Sequence, residues 1–124
     1  MARLLVFGDS IAWGYYDIEG GWVERLKRFF MEKMLSGDSS GFAVYNLSIS
    51  GDYTKDLLDR FRSETKQRTE EEEGGEIIIF NIGINDSQIL NKSGKHVISK
   101  DELKRNIKKL IDLPRKFYLL ASLL

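Results

Sequence analysis

Short apolar runs alternate along this chain with segments of helical periodicity, and this alternation restricts the fold more than any other feature. The run at residues 4–7 stops at Gly8, and the β-branched run at residues 77–82 stops at Gly83. Two further runs, at residues 43–47 and 117–123, have a similar character. Continuous apolar runs of this length are typical of strands buried on both faces of a parallel sheet.

Three helical segments lie between these runs. The first has one apolar face and a glycine stop at Gly37, and the second begins after Thr54. The third begins with capping-box spacing between Ser99 and Glu102, and we expect Pro114 to end it. The apolar positions of the three faces are, in turn, Trp22, Val23, Leu26, Phe29, Phe30 and Met34; Leu57, Leu58 and Phe61; Leu103, Ile107, Leu110 and Ile111. The acidic run at residues 70–73 is predicted to be a solvated helix end or loop.

The resulting order is strand, helix, strand, helix, strand, helix, strand. It predicts an α/β fold with a parallel sheet of about four strands in a single domain over residues 1–124. Ligands of such folds lie outside the carboxyl ends of the strands. The loops that begin at Gly8, Ser48 and Gly83 are therefore the places to look for function.

Composition excludes several classes of function. The chain has 19 basic and 19 acidic residues and a formal net charge of +0, so we expect no nucleic-acid partner. It has no cysteine and one histidine, His96, which excludes thiolate chemistry and multi-histidine metal sites. We expect no metal and no cofactor. No stretch has the length of a signal peptide core or a membrane span, so we expect a cytoplasmic protein without a membrane partner.

The three loops carry polar residues in a distinctive order. They read Gly8-Asp9-Ser10-Ile11-Ala12-Trp13-Gly14, then Asn46-Leu47-Ser48-Ile49-Ser50-Gly51-Asp52, then Gly83-Ile84-Asn85-Asp86-Ser87. Each alone is a weak signal, since Gly-Asp-Ser after a strand is typical of an ordinary turn. All three at successive strand ends are much less expected by chance.

In these loops the sequence resembles the SGNH hydrolases, also called the GDSL esterase/lipase family, over nearly its whole length. The resemblance implies a three-layer α/β/α, flavodoxin-like fold and a serine ester hydrolase acting on a small ester substrate. It implies that Ser10 is the nucleophile and that Gly51 and Asn85 donate to the oxyanion. Gly8, Asp9, Gly83 and Asp86 would support these motifs. The first loop is not the Gly-x-Ser-x-Gly elbow, because Ala12 stands at its last glycine.

Elementary chemistry is consistent with these roles. The backbone N–H groups of Ser10 and Gly51 and the side-chain amide of Asn85 could point at one oxygen, as an acyl-transfer site requires. Glycine leaves its N–H open to a ligand, and an amide donates without carrying charge. We expect Asp9 and Asp86 to hold their loops through backbone N–H groups rather than to act as bases.

A general base is missing from this pattern. Serine needs a base to take its proton, and the family resemblance implies an Asp-x-x-His motif near the C-terminus. No such motif occurs, since no histidine follows Asp112 and Ser93 stands three residues before His96. We therefore expect a domain that is incomplete at its C-terminus, with impaired activity and with His96 as an exposed loop residue. A natural ending, a fragment and a shortened reading frame remain open, and an exposed C-terminal strand edge would favour a homo-oligomer.

Two hypotheses about function follow. The first is the ester hydrolase, and the alternative is a non-catalytic SGNH-fold binding or interaction module. A nucleotide or phosphate binder is weaker, because none of the loops is a Gly-x-Gly-x-x-Gly or a P-loop. Trp13, Tyr15 and Tyr16 could line a substrate cleft or pack in the core or a lid, and the sequence favours packing slightly.

Overall fold

The computed structural model describes residues 2–69, 75–90, 94–115 and 120–123. Six strands and four helices lie within these ranges. In chain order they are β1 (Arg3–Gly8), α1 (Ser10–Trp13), α2 (Gly21–Leu35), β2 (Ala43–Asn46), α3 (Thr54–Lys66), β3 (Glu76–Asn81), β4 (Ile89–Leu90), β5 (Lys95–His96), α4 (Lys100–Arg115) and β6 (Leu120–Leu123).

The main sheet has the strand order β2-β1-β3-β6, and every pairing in it is parallel. β1 lies between two partners and its apolar residues are buried on both faces, as its continuous apolar run requires. The register sets Gly8 opposite Asn81 and Val6 opposite Asn46. The loops that follow β1, β2 and β3 therefore leave the sheet side by side at one edge.

Helices cover both faces of this sheet. Alternate residues of β1 divide between two apolar clusters, with Leu5 and Phe7 on one face and Leu4 and Val6 on the other. The Phe7 face packs against α3 and α4 through Leu57, Phe61 and Leu110, and the other face packs against α2 through Val23, Leu26 and Phe30. The three-layer α/β/α arrangement predicted from the sequence is confirmed.

Helix capping explains where two of the helices begin. Ser99 Oγ accepts the Glu102 N–H at 3.2 Å, which is one half of the predicted capping box, and α4 starts at the next residue. At α3, the Asp56 carboxylate accepts the Tyr53 N–H at 2.8 Å. Gly37 lies just past α2 with φ +88°, the left-handed conformation expected at a helix end.

The structure departs from the sequence analysis at three places. α4 continues through Pro114 to Arg115, so the expected stop is wrong; proline's φ suits a helix, and in the last turn it removes only one hydrogen bond. The short helix α1 and the antiparallel hairpin β4–β5 were not predicted, because elements of four and two residues carry no periodic signal. Residues 70–73 and 117–119 lie outside the described residues, so the structure does not test their predicted conformations.

Candidate active site

Gly8 is the point where three segments of the candidate site meet. A Cβ built on Gly8 would lie 2.6 Å from Ala12 Cβ, 2.8 Å from the Asn81 carbonyl oxygen and 3.0 Å from Ser48 Oγ. Contacts below 3.0 Å are too short for a real Cβ, so only glycine lets these segments approach β1 so closely. Gly8 is therefore needed because any larger residue would clash with the segments packed around it.

Ser10 begins α1 directly after this strand end. The buried Asp9 carboxylate accepts the Ile11 N–H at 3.0 Å, which caps α1 and fixes the turn. The Ser10 carbonyl accepts N–H groups from Gly14 at 3.0 Å and Tyr15 at 2.9 Å. Ser10 is partly exposed, and its hydroxyl makes no hydrogen bond with any residue of the described ranges. The backbone of Ser10 is held firmly while its Oγ remains available to a ligand.

Hydrogen bonds attach the second loop to the first. Asn46 Nδ2 donates to the Ala12 carbonyl at 3.1 Å, while Asn46 Oδ1 accepts the Ser48 N–H at 3.2 Å. The Ile49 N–H donates to the Gly8 carbonyl at 3.1 Å. The second loop is thus bonded both to α1 and to the end of β1.

Gly51 lies in a tight turn of this second loop. The Asp52 N–H donates to the Ile49 carbonyl at 3.2 Å, and Gly51 has φ +88°, which is the conformation of the third residue of a type II turn. No atom of the described residues would lie within 4 Å of a Cβ there, so glycine is needed for its φ rather than for space. Among the described residues, none accepts the Gly51 N–H.

Arg60 on α3 holds both ends of the loop that contains Gly51. Its Nη1 donates to the Leu47 carbonyl at 2.6 Å, and its Nε and Nη2 lie 3.0 Å and 2.8 Å from Asp52 Oδ2. The guanidinium also lies 5.6 Å from the centre of the Phe7 ring, within cation–π range. Burial raises the pKa of Asp52, and the neighbouring Arg60 charge opposes that rise.

The third loop is tied to the second through Asn85. Asn85 Nδ2 donates to the Asp52 carbonyl at 2.9 Å, and its second amide hydrogen remains available to a ligand. The Ser87 N–H donates to the Gly83 carbonyl at 3.1 Å, and Gly83 has φ +123°. Asn85 therefore stands beside the Gly51 turn with its amide oriented by the backbone of that turn.

Asp86 anchors the same loop in the helix layer. Its fully buried carboxylate accepts the Thr54 N–H at 3.0 Å and the Thr54 hydroxyl at 2.6 Å. Thr54 Oγ1 accepts in turn from Asn106 Nδ2 at 3.0 Å. This network joins the third loop to the first turn of α3 and to α4, and it leaves Asp86 occupied with binding α3.

His96 lies on the exposed hairpin that follows the third loop. Its Nδ1 is 2.9 Å from the Ser87 carbonyl oxygen, and since a carbonyl can only accept, Nδ1 carries the hydrogen. Within the described ranges, no hydrogen bond joins His96 to Ser10.

The structure thus places the loops of Ser10, Gly51 and Asn85 together at one edge of the sheet and cross-links them. Sequence reasoning missed Arg60 and the bond from Thr54 to Asn106. Arg60 stands three residues after Leu57, so it borders the buried face of α3. That spacing was the available signal, although a basic residue in such a place usually extends into solvent.

The aromatic residues after Ser10 are exposed. The side chains of Trp13, Tyr15 and Tyr16 are 51%, 53% and 96% exposed, so the core-packing alternative is wrong for them. Ile11, Ile49 and Ile84, one from each loop, are also exposed. The edge of the sheet that carries Ser10 is therefore surrounded by apolar side chains.

The described residues contain neither a membrane-spanning helix nor a cluster of metal ligands. None of the helices within the described ranges is both long and apolar enough to cross a membrane. In the same part of the chain, no group of three or more His, Cys, Asp or Glu side chains is arranged to hold a metal ion.

An α/β/α sandwich with a serine, a glycine turn and an asparagine at adjacent strand ends has the architecture of an SGNH-type hydrolase domain. Residues 6–118 match the family model of the GDSL-like lipase/acylhydrolase family, and the chain belongs to that family. A search of curated proteins finds no match.

Solved structures with the same fold include two esterases and TesA. An acetyl xylan esterase, AlAXEase, superposes with a TM-score of 0.73 at 19% identity, covering 98% of this chain and 56% of that one. The psychrotrophic esterase EstA from Pseudoalteromonas sp. superposes with a TM-score of 0.73 at 21% identity, covering 99% of this chain and 58% of that one. TesA superposes with a TM-score of 0.70 at 25% identity, covering 98% of this chain and 58% of that one. The chain therefore spans less than two thirds of the length of these structures.

Proposed function

We propose that this chain carries the nucleophile and oxyanion-binding part of a carboxylic ester hydrolase. The observation that supports this best is the pair of hydrogen bonds that link the three loops. One joins Ile49 to Gly8 at 3.1 Å and the other joins Asn85 to Asp52 at 2.9 Å. A site that stabilises developing charge needs donors fixed before the reaction, and these bonds fix them.

In the proposed reaction, Ser10 Oγ attacks the carbonyl carbon of the ester. The carbonyl oxygen becomes an oxyanion, which accepts from the Ser10 and Gly51 N–H groups and the second amide hydrogen of Asn85. Removing one such donor typically costs about 2.7–4 kcal/mol of transition-state stabilisation. The ester C–O bond then breaks, and the alcohol leaves with a proton that replaces, through solvent, the one lost by Ser10. Water hydrolyses the acyl-serine, which releases the acid and restores the serine hydroxyl.

Removal of the Ser10 proton is the step of the proposed reaction that this chain supports least. The sequence holds no Asp-x-x-His motif, and no described residue accepts from Ser10 Oγ. Fixed oxyanion donors without a complete triad still retain about 10³–10⁴-fold of rate over water in well-studied serine hydrolases. We propose that this chain alone turns over slowly for that reason.

Hydrolysis of p-nitrophenyl acetate by the wild type and by Ser10→Ala tests the proposal. Ser39→Ala, an exposed serine after α2, is the matched control and should keep the wild-type rate. We expect Ser10→Ala, which has no nucleophile, to hydrolyse the ester more slowly than the wild type, and Asn85→Ala, which has one oxyanion donor fewer, to fall about 10²–10³-fold. His96→Ala should match the wild type, and a loss of rate there would make His96 the base.

A fluorophosphonate probe supplies a second measurement that needs no turnover. We expect mass spectrometry to find the adduct on Ser10 in the wild type and Ser39→Ala, and no adduct in Ser10→Ala. If Ser10 stays unlabelled and Ser10→Ala hydrolyses as fast as the wild type, the hydrolase proposal is wrong. The non-catalytic binding module would then be the better description.

A further inference from the structure

A pocket of about 670 Å³ opens beside α1, between the turn that follows Ser10 and the first turn of α2. Trp13, Tyr16 and Ile18 form its apolar walls, and Asp17 and Glu24 supply its ionisable groups. Tyr16 and Ile18 are 96% and 104% exposed, so this space is an open groove rather than an enclosed cavity. We name this space the aromatic pocket.

The charge of the aromatic pocket is negative. Its lining contains two carboxylates and no basic side chain. Asp17 is already satisfied, because its carboxylate accepts from Arg25 Nη2 at 2.8 Å and from the Glu19 N–H at 2.9 Å. Hydrogen bonding to the Glu19 N–H, and then to Arg25, lowers the pKa of Asp17, so this group stays ionised.

Glu24 is the carboxylate that the protein leaves unused. Its side chain packs over the Cα of Gly20, where a Cβ would lie 2.7 Å from Glu24 Cγ. No residue in the described ranges donates a hydrogen bond to the Glu24 carboxylate or forms an ion pair with it. A half-buried carboxylate on a pocket wall can therefore accept a cation without breaking an existing contact.

Tyr16 has a conformation that burial does not explain. It is the only non-glycine residue with positive φ among those described, at +64°, and its side chain is 96% exposed. Its ring meets Tyr15 edge-on with centroids 4.5 Å apart, and Tyr15 lies 5.9 Å from Trp13. A strained backbone that holds an aromatic ring in solvent at a pocket wall indicates a role in ligand binding.

We propose that the aromatic pocket binds a small organic cation of the quaternary ammonium type. Such ions are attracted to the faces of Trp and Tyr rings, and a nearby carboxylate adds to that attraction. Trp13, Tyr16 and Glu24 all line the pocket, so it offers both features. The binding does not depend on the chemistry of Ser10.

Choline and its neutral isostere 3,3-dimethylbutan-1-ol test the proposal on the full chain. Both have the same shape, and only choline is charged. Titration followed by calorimetry and tryptophan fluorescence should show saturable binding of choline, with the isostere at least tenfold weaker. Equal binding of the two, no binding of choline, or tighter binding of the neutral sugar xylose would overturn the proposal.

Matched variants assign the binding to the pocket. Glu24→Gln should weaken choline at least fivefold and leave the isostere unchanged. Glu32→Gln removes the same charge from an exposed position of α2 and should change neither. If the two variants behave alike, Glu24 is not the contact and the proposal fails.

Tyr16→Gly separates binding from stability. Glycine adopts the observed φ without strain, so the thermal midpoint should hold or rise while choline affinity falls at least fivefold. A variant that binds choline as the wild type does would contradict the role of the ring. A lower midpoint would show that Tyr16 supports the fold, which also contradicts the argument.

Discussion

Thr54→Val is the sharpest test of the network that holds the third loop. Valine has nearly the volume of threonine but no hydroxyl, so the change removes the 2.6 Å bond to Asp86 and leaves Asn106 Nδ2 without its acceptor. A hydrogen bond to a charged group contributes about 1.5–3 kcal/mol, and an unpaired buried amide costs about 1–3 kcal/mol. Because the Thr54 N–H still donates to Asp86 and the site can relax, we expect a loss of about 3 kcal/mol in the free energy of unfolding.

Urea unfolding followed by circular dichroism measures this loss by linear extrapolation. For a chain of this length it corresponds to a drop of roughly 10 °C in the thermal midpoint. Thr54→Ser keeps the hydroxyl and should lose about 1 kcal/mol, since it removes one buried methyl group. Thr69→Val makes the same change at a partly buried hydroxyl whose one hydrogen bond among the described residues is to the Thr65 carbonyl, and it should lose less than about 1 kcal/mol. If Thr54→Val is no more destabilised than Thr54→Ser, the network does not hold the loop.

Three further changes test other parts of the molecule. Gly8→Ala should lose about 1–3 kcal/mol in urea unfolding, because its Cβ would crowd three segments, and a neutral result would contradict the close approach. Hydrogen bonds from Ser40 and Lys33 lower the pKa of Asp38 to about 2. The stability that this group contributes is therefore present above pH 3.8 and is lost as the pH falls through about 2. Ser40→Ala should raise the pKa of Asp38, as measured by a carbon-13 NMR titration. Burial raises the pKa of Asp52, so stability falls as pH rises above 3.8, and Arg60→Gln should raise that pKa further and deepen the fall, with an unchanged pKa refuting the ion pair.

Local sequence signals were sufficient for the main elements of this fold. The runs ending at Gly8 and Gly83 locate β1 and β3 to within a residue or two, because a buried parallel strand must be apolar along its length. The helical spacing of apolar residues locates α2, because the helix must present one apolar face to the sheet. The order of elements predicts an α/β fold with a parallel sheet, and the family resemblance implies its three layers.

The same local signals could not predict the contacts between the sheet and helix layers. The Asp86 carboxylate meets Thr54 at a separation of 32 residues, and Thr54 meets Asn106 at 52 residues. Nothing in the local pattern of a helix shows which buried polar groups will pair, because that depends on how the layers pack. The sequence also left the position of Trp13 open, since an aromatic side chain suits both a core and a ligand wall.

The hydrogen bonds among the three loops also limit how this domain can change during evolution. Loops bonded to Gly8 on one side and to Asp52 on the other cannot change length independently without breaking a partner's contact. The turn at residues 15–20 and the strands β4 and β5 take no part in the hydrogen bonds that link the three loops, and they carry exposed apolar side chains. We expect insertions and new ligand preferences to arise in these two segments, with the linked loops unaltered.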